Sequence, residues 1–331
     1  MKTYSVGGLK LQLPIILGAG VCKDPRQLIP YLRHDVSLGA VIAGSFTQGE
    51  RQQNDGIVQW PDDWSAFRER GIGLNSFGMP NPGIEESLER FDTVPFDRPA
   101  IANIAAFSAD EYATCVSLAN RRKSVSAIEV NWGCGNTGKV PDAYSYDHAH
   151  ATLSALERLC RRDELTKPVW VKLSPYITAE ERDQLAIEYP GIDFTGAPVV
   201  KPGFLEAMVR LIGHYPFVRA IVFSNTLANC RVLRPNGTPV TTPFDGRAGL
   251  SGPILKPISM KLIREASSIP RPEEIDFIGC GGILHGDDVA DYLDVGARAV
   301  QCTSGPDWHP KGPRFFESLI AESDRLLERL M

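Results

Sequence analysis

The chain carries no Cys-x-x-Cys pair, no His/Cys spacing typical of a metal site and no dense Lys/Arg block, and no apolar run nears the ~18 residues of a membrane helix. Each absence removes a class of function. The seven cysteines (22, 115, 134, 160, 230, 280 and 302) are scattered and odd in number, which excludes a disulfide scaffold, fits a reducing cytoplasm and leaves no metal or iron–sulfur site within the chain. A formal net charge of -5 gives no support for binding nucleic acid or an anionic membrane. Internal repeats and low-complexity tracts are also missing. Leu11–Cys22 superficially resembles a lipidated signal, but Pro14 interrupts it and Val21 stands where a small residue should precede the cysteine, so it reads as a buried first strand. What remains is 331 residues, 43% hydrophobic and 23% charged, enough for a large soluble core.

Short apolar runs alternate with helical patterns. Strands are expected at Ile15–Gly18, Ala40–Ser45, Ala100–Ala105, Ala127–Asn131, Val169–Leu173, Ala220–Ser224, Asp276–Gly279 and Ala299–Cys302. Helical patterns include Asp110–Arg121, His148–Arg162, Phe204–His214, Ile254–Ala266, Asp287–Leu293 and Pro313–Leu330, the last with one apolar stripe. Uniformly apolar strands are what a parallel sheet buried on both faces requires. Eight of them alternating with helices predict an α/β fold, a (β/α)8 barrel formed by one domain over residues 1–331. Tyr4–Leu11 reads as a hairpin with a Gly7-Gly8 turn plugging the barrel bottom. Thr47–Gly73 and Ala228–Gly252 exceed ordinary loop length and are expected to form lids or walls at the C-terminal face.

In such a barrel, chemistry gathers where strands end. Those ends carry Ala19-Gly20, Ser45, Asn75, Asn131 with Cys134 and Asn136, Lys172, Asn225-Thr226, Gly281-Gly282 and Thr303-Ser304. The glycine turn after strand seven and the Thr-Ser after strand eight occupy the usual barrel phosphate site, where backbone amides and a following helix N-terminus close on an anion. Gly18-Ala-Gly20 is no dinucleotide fingerprint, because Lys23 stands in the third glycine's place; it suits close approach of backbone to a flat ligand. Lys172, within an apolar strand, has three readings: an ammonium facing an anion or polarised carbonyl, a Schiff-base nucleophile, or a side chain reaching to the rim. Cys134 is either a small buried hydrophobe or a proton-transfer group presented between Gly133 and Gly135, which give the loop freedom, with Asn131 and Asn136 beside it. His148 and His150 lack a further ligand in a recognisable spacing and read as surface residues.

Taken together, Ala19-Gly-Val-Cys22, Asn75–Asn81, Ile128-Glu-Val-Asn-Trp-Gly-Cys-Gly-Asn136, Val169–Pro175, Ser224-Asn-Thr226, Gly249–Pro257 and Gly279–Ile283 resemble the dihydroorotate dehydrogenase family of FMN-dependent barrels, over Leu13–Ser304. The resemblance implies FMN with its phosphate at Gly281, Gly282, Thr303 and Ser304, and Lys172 against the isoalloxazine. Ala19, Gly20, Ser45 and Asn131 would line the flavin, and Gly249 would close it. It also implies Cys134 as the base, with Asn75, Asn131, Asn136, Asn225 and Thr226 on the pyrimidine and the amides of Phe77, Gly78 and Met79 on its carboxylate. A cysteine base is similar to the soluble class of the family, a homodimer, acting on dihydroorotate. A free thiol titrates near about 8.5, and Lys172 or the flavin region is expected to bring it toward neutrality.

The chain departs from the family pattern twice. The family places a lysine just after strand two; here Gly44-Ser-Phe-Thr-Gln-Gly-Glu-Arg51 offers only Arg51 as a cation. The family's Ser-Cys-Pro-Asn is here Gly133-Cys-Gly-Asn136, a looser turn. Both changes lie on the substrate side, so a related FMN oxidoreductase acting on another dihydropyrimidine-like ring is the alternative expectation.

Overall fold

A computed structural model describes residues 3–33, 36–59, 71–138, 140–303, 305 and 312–330. Ser304 and residues 60–70 of the first long loop, both named above, lie outside the described residues. The eight expected strands are present as β3 (Ile15–Leu17), β4 (Ala40–Phe46), β6 (Ala100–Ile104), β7 (Ala127–Asn131), β8 (Val169–Lys172), β10 (Val218–Phe223), β13 (Asp276–Cys280) and β14 (Ala299–Cys302). They pair in parallel, in chain order, and β14 returns to β3 to close the barrel. Helices α1 (Ile84–Asp92), α2 (Ala109–Asn120), α3 (Tyr146–Cys160), α4 (Ala179–Glu188), α5 (Phe204–Gly213), α6 (Leu255–Ser267) and α7 (Gly286–Asp294) lie between successive strands. Several start at side-chain caps that satisfy free N–H groups, as when Ser108 Oγ accepts from Glu111 N and Ser145 Oγ from His148 N. Among the described residues no helix is long and apolar enough to cross a membrane.

Side-chain alternation along the strands divides the core in two. Val41, Ile128, Val130, Val171 and Val300 point outward and pack under the helices. Ile16, Ile42, Ile101, Ala127, Trp170, Val222 and Ile278 fill the lower barrel, together with Val6 and Leu11 from a hairpin formed by β1 (Tyr4–Val6) and β2 (Leu9–Leu11). That hairpin closes the barrel floor: Gly7 O accepts from Trp170 Nε1 at 2.8 Å, and Gly7 N donates to Asp276 Oδ2 at 2.8 Å.

Two elements differ from expectation. Ala228–Gly252 is not a plain loop: β11 (Leu227–Val232) and β12 (Ala248–Ser251) pair antiparallel and combine with β5 (Gly73–Asn75) and β9 (Ile192–Asp193) in a four-stranded sheet, order β5-β12-β11-β9. Each strand is short, and the sheet is assembled from distant parts of the chain, so no local pattern announces it. Its apolar face, with Leu74, Leu227, Val232 and Leu250, forms a second core above the barrel. The C-terminal pattern is likewise not one helix but α8 (Phe315–Ala321) and α9 (Asp324–Leu330). Ser323 breaks it, because its hydroxyl accepts from Leu326 N and donates to Asp287 Oδ1 at 2.6 Å, a local alternative to continued helix.

Candidate active site

A cavity of about 350 Å³ opens at the C-terminal ends of the barrel strands, beneath the four-stranded sheet. Its lining includes Ala19, Gly20, Ser45, Asn75, Phe77, Met79, Asn131, Cys134, Asn136, Lys172, Asn225, Thr226, Gly281, Gly282 and Thr303. Two of the expected residues lie behind this wall. Gly78 abuts Asn54 and accepts from Arg51 Nε through its carbonyl, and Gly249 backs onto Thr226 and Asn136 instead of closing a flavin face. Ser251 and Gly252 line the cavity where Gly249 was expected.

The floor is a buried polar layer. Strand parity puts Asn103, Glu129, Lys172 and Gln301 on the inner wall, above the apolar layers. Lys172 Nζ donates to Gln301 Oε1 at 2.9 Å; Gln301 Nε2 and Asn103 Nδ2 donate to the two oxygens of Glu129. Glu129 is 0% and Lys172 4% exposed, so the side chain does not reach to the rim. Burial works against the Lys172 ammonium, but the nearby Cys280 sulfur and the Glu129 carboxylate outweigh it and raise the Lys172 pKa. A Schiff-base nucleophile needs the opposite, a lysine made readily neutral. Held by Gln301 Oε1 above the Glu129 carboxylate, Lys172 fits the reading of an ammonium facing the cavity. Sequence reasoning overlooked Asn103, Glu129 and Gln301. The signal was available: each interrupts an apolar strand with the parity of the inward face.

The upper wall is a set of carboxamides that orient one another. Asn131 Nδ2 donates to Ser45 Oγ at 2.9 Å, while its Oδ1 accepts from Gly133 N at 3.1 Å and Asn225 Nδ2 at 2.9 Å. Asn136 Nδ2 donates to Asn75 Oδ1 at 2.6 Å, which leaves Asn136 Oδ1 buried without a partner among the described residues. A ligand N–H is the chemistry that this acceptor lacks.

Cys134 stands between these amides. Gly133 and Gly135 serve close packing instead of loop freedom or a looser turn: a Cβ at Gly133 would lie 2.5 Å from Asn225 Cβ, and one at Gly135 2.4 Å from Ala228 Cβ. The turn is held tight. Burial pushes the Cys134 thiol up, the Asn136 amide and the Arg51 guanidinium draw it back, and Asp142 adds to the rise. The expected influence of Lys172 is not among these causes; the cation that acts is Arg51, anchored by its donation to Gly78 O.

At the opposite end, Gly281 (φ 115°) and Gly282 (φ 68°) take backbone conformations that other residues rarely adopt, and a Cβ on either would press on Leu255 or Lys256 within 2.9 Å. The helix expected to reinforce this turn is already capped by its own residue, since Leu284 N and His285 N both donate to Asp288 Oδ2. Lys23, read above only as excluding a dinucleotide fingerprint, also lines the cavity, with Nζ 3.4 Å from the centroid of the Phe77 ring. His150 is exposed, and half-buried His148 lies 3.3 Å from Asp142. Among the described residues no group of His, Cys, Asp or Glu could hold a metal ion.

The dihydroorotate dehydrogenase family matches residues 1–200 and 197–327. The chain belongs to the dihydroorotate dehydrogenase family. Members are FMN-dependent oxidoreductases acting on CH–CH donors. It is 30% identical over 303 residues to "Dihydroorotate dehydrogenase B (NAD(+)), catalytic subunit" of Listeria monocytogenes serotype 4b, covering 89% of this chain and 84% of the relative. The protein of the same name from Geobacillus kaustophilus is 30% identical over 298 residues, covering 88% and 81%. A crystal structure of the Eimeria tenella enzyme with ferulenol superposes with a TM-score of 0.71 at 19% identity, over 99% of this chain and 84% of that one, a likeness of fold.

The residues present fit FMN. Among the described lining residues are two lysines and no Asp or Glu, so nothing there repels a phosphate or a reduced, anionic ring. The close-packed Gly281-Gly282 turn lines one end of the cavity with backbone, and the Lys172 ammonium marks the floor.

Proposed function

We propose that this chain oxidises (S)-dihydroorotate to orotate in pyrimidine biosynthesis, with Cys134 as the base. The single observation that carries the reading is one cavity lined by Lys172, Cys134 and the carboxamide residues Asn75, Asn131, Asn136 and Asn225. FMN, when bound, accepts a hydride from the substrate's CH–CH bond. Its phosphate would rest on Gly281, Gly282, Thr303 and Ser304, and its ring against Ala19, Gly20, Ser45, Asn131 and Lys172. The Lys172 ammonium, held by Gln301 and Glu129, stabilises negative charge at the ring's edge.

On the substrate side, Asn136 Oδ1 accepts from a ring N–H, and Asn75, Asn131, Asn225 and Thr226 fix the remaining polar edges. The amides of Phe77 and Met79, which line the cavity, would meet the carboxylate; Gly78 stands behind them. Cys134 as thiolate takes the proton from the carbon beside the ring carbonyl while hydride leaves the adjacent carbon, so one C–C bond becomes C=C. Arg51 and the Asn136 amide offset the burial that keeps the thiol protonated. Orientation of base and ring within one rigid cavity can supply about 7–11 kcal/mol of the barrier.

The relatives' title, catalytic subunit, supports a reading in which electrons leave through a separate subunit that uses NAD(+). We infer likewise a cytoplasmic homodimer, each chain a single FMN-binding unit over residues 1–331. The test is anaerobic titration of the purified yellow protein: dihydroorotate should bleach the flavin and orotate should perturb its visible spectrum. A flavin reduced by dihydrouracil and untouched by dihydroorotate would replace this substrate with a ring lacking the carboxylate.

A further inference from the structure

We infer that Asn54, which does not itself line the cavity, is a positioning residue that joins the loop meeting the substrate's carboxylate to the turn carrying Cys134. One carboxamide thereby sets both ends of the substrate site. This role rests on the substrate reading above and deepens it. Asn54 N donates to Phe77 O at 3.0 Å, and Asn54 Nδ2 donates to Ser76 O at 2.8 Å and to Asn136 O at 3.2 Å. The three segments so joined follow β4, β5 and β7 and are distant in the chain. Both partners of Nδ2 are carbonyls, so only the NH2 end of a carboxamide suits them.

Each contact fixes a backbone group that the chemistry uses. A peptide unit is planar and trans, so its N–H points opposite to its carbonyl. With Ser76 O drawn to Asn54, the Phe77 N–H is turned away from Asn54. Gly78 has φ 83°, and a Cβ there would lie 2.5 Å from Asn54 Oδ1, so the carboxamide packs directly on this loop. At the other end, Asn136 follows Cys134 by two residues. The Asn136 amide draws the thiol down, and Asn136 Nδ2 donates to Asn75 Oδ1 at 2.6 Å. Asn54 therefore holds the backbone of the residue that steadies both the sulfur and a carboxamide of the upper wall.

Asn54 is itself held on both sides. Arg51 N donates to Asn81 O at 2.8 Å and Asn81 N to Arg51 O at 3.0 Å, while Arg51 Nε donates to Gly78 O at 2.9 Å. Beyond it, Ile57 N donates to Thr242 Oγ1 at 2.8 Å and Ile57 O accepts from Thr242 N at 3.0 Å. The carboxamide is thus placed by its own segment and not by a ligand. The Asn75–Asn136 contact joins two of the same segments from inside the cavity, where a ligand competes for those side chains. The Asn54 link lies behind the wall, where none does.

The test uses the FMN-loaded protein. Asn54→Ala removes the donor; Asn54→Leu, neutral and close in volume, takes its place if Asn54→Ala loses its flavin. Flavin reduction by dihydroorotate is followed by anaerobic stopped flow over a pH series, which separates the limiting rate from the apparent Kd, and orotate is titrated at neutral pH. The limiting rate should fall about 10- to 100-fold, as displacement of a catalytic group by about 1 Å predicts. Orotate should bind about 3- to 10-fold more weakly, the worth of one neutral hydrogen bond. The alkaline limb of the limiting rate should move to higher pH, because the Asn136 amide no longer stays beside the sulfur. A lowered melting temperature with rate, orotate affinity and pH profile all matching the parent assigns Asn54 to stability alone and overturns the inference. A change at one end of the site without the other overturns the link between them. A parent protein whose flavin responds neither to dihydroorotate nor to orotate overturns the dihydroorotate reading itself.

Discussion

Replacing Glu129 and Lys172 together should cost less stability than the two single replacements summed. Glu129 is fully buried and accepts from Asn103 and Gln301, and Gln301 in turn presents its oxygen to Lys172. Removing one member of a buried charge pair strands the other and costs about 3–5 kcal/mol. Glu129→Met leaves an ammonium without its counter-charge and Gln301 Nε2 without its acceptor. Lys172→Met leaves a carboxylate with only neutral donors. In the double variant no charge is stranded, and the residual cost is that of the unpaired Asn103 and Gln301 amides, about 1–3 kcal/mol each. The two single losses therefore sum to about 6–10 kcal/mol, against about 2–6 kcal/mol for the pair, a coupling of about 4 kcal/mol between the centres of the two ranges. The assay is urea unfolding of flavin-stripped protein, followed by fluorescence of the buried Trp132 and Trp170, so that altered FMN affinity does not enter by mass action. Additive losses, with coupling below about 0.5 kcal/mol, would refute the argument that Glu129 holds the Lys172 charge.

Cys134→Ser should retain the flavin spectrum and lose about 100-fold or more in turnover at neutral pH, since a positioned base contributes about 10²–10⁴; unchanged kinetics would remove Cys134 as the base. Because burial raises the thiol, and only the ionised sulfur can take a proton, kcat/KM should climb with pH across the neutral and mildly alkaline range; a flat profile would contradict this assignment. Arg51→Gln removes a charge that lowers the thiol, so the alkaline limb of that profile should move to still higher pH, as a pH–rate series would show. Gly133→Ala should destabilise by about 1–3 kcal/mol, the usual cost of overpacking, and weaken orotate binding by displacing Asn225; thermal melts and titrations read the two effects separately.

The barrel was legible because its strands are buried on both faces. Ile15-Ile-Leu17 and Val169-Trp-Val171 read as continuous apolar runs, and nothing in a helix of this chain imitates them. Position within that frame then made the strand-end residues legible as one group, since closure of eight strands brings every C-terminal end to the same mouth. What escaped was set by contacts between distant segments. The four-stranded sheet is one case: Gly249 opposes Asn75 only after residues far apart in the chain have met, so Gly249 went to the flavin when it stands behind the carboxamides. The meaning of Gly133 and Gly135 is another, because a glycine required by an approaching Asn225 or Ala228 looks, in one dimension, the same as a flexible one.

Charge was the least legible property. Neighbours in sequence pointed to Lys172 as the cation nearest the thiol, yet strand parity buries that lysine in a layer with Glu129 and Gln301, and Arg51 is the cation acting on Cys134. A pattern read along the end of β4 finds glycine at 44 and at 49 where the family has a lysine. The fold separates the two: Gly44 faces Asn103 O with no room for a side chain, while nothing lies within 4 Å of a Cβ at Gly49.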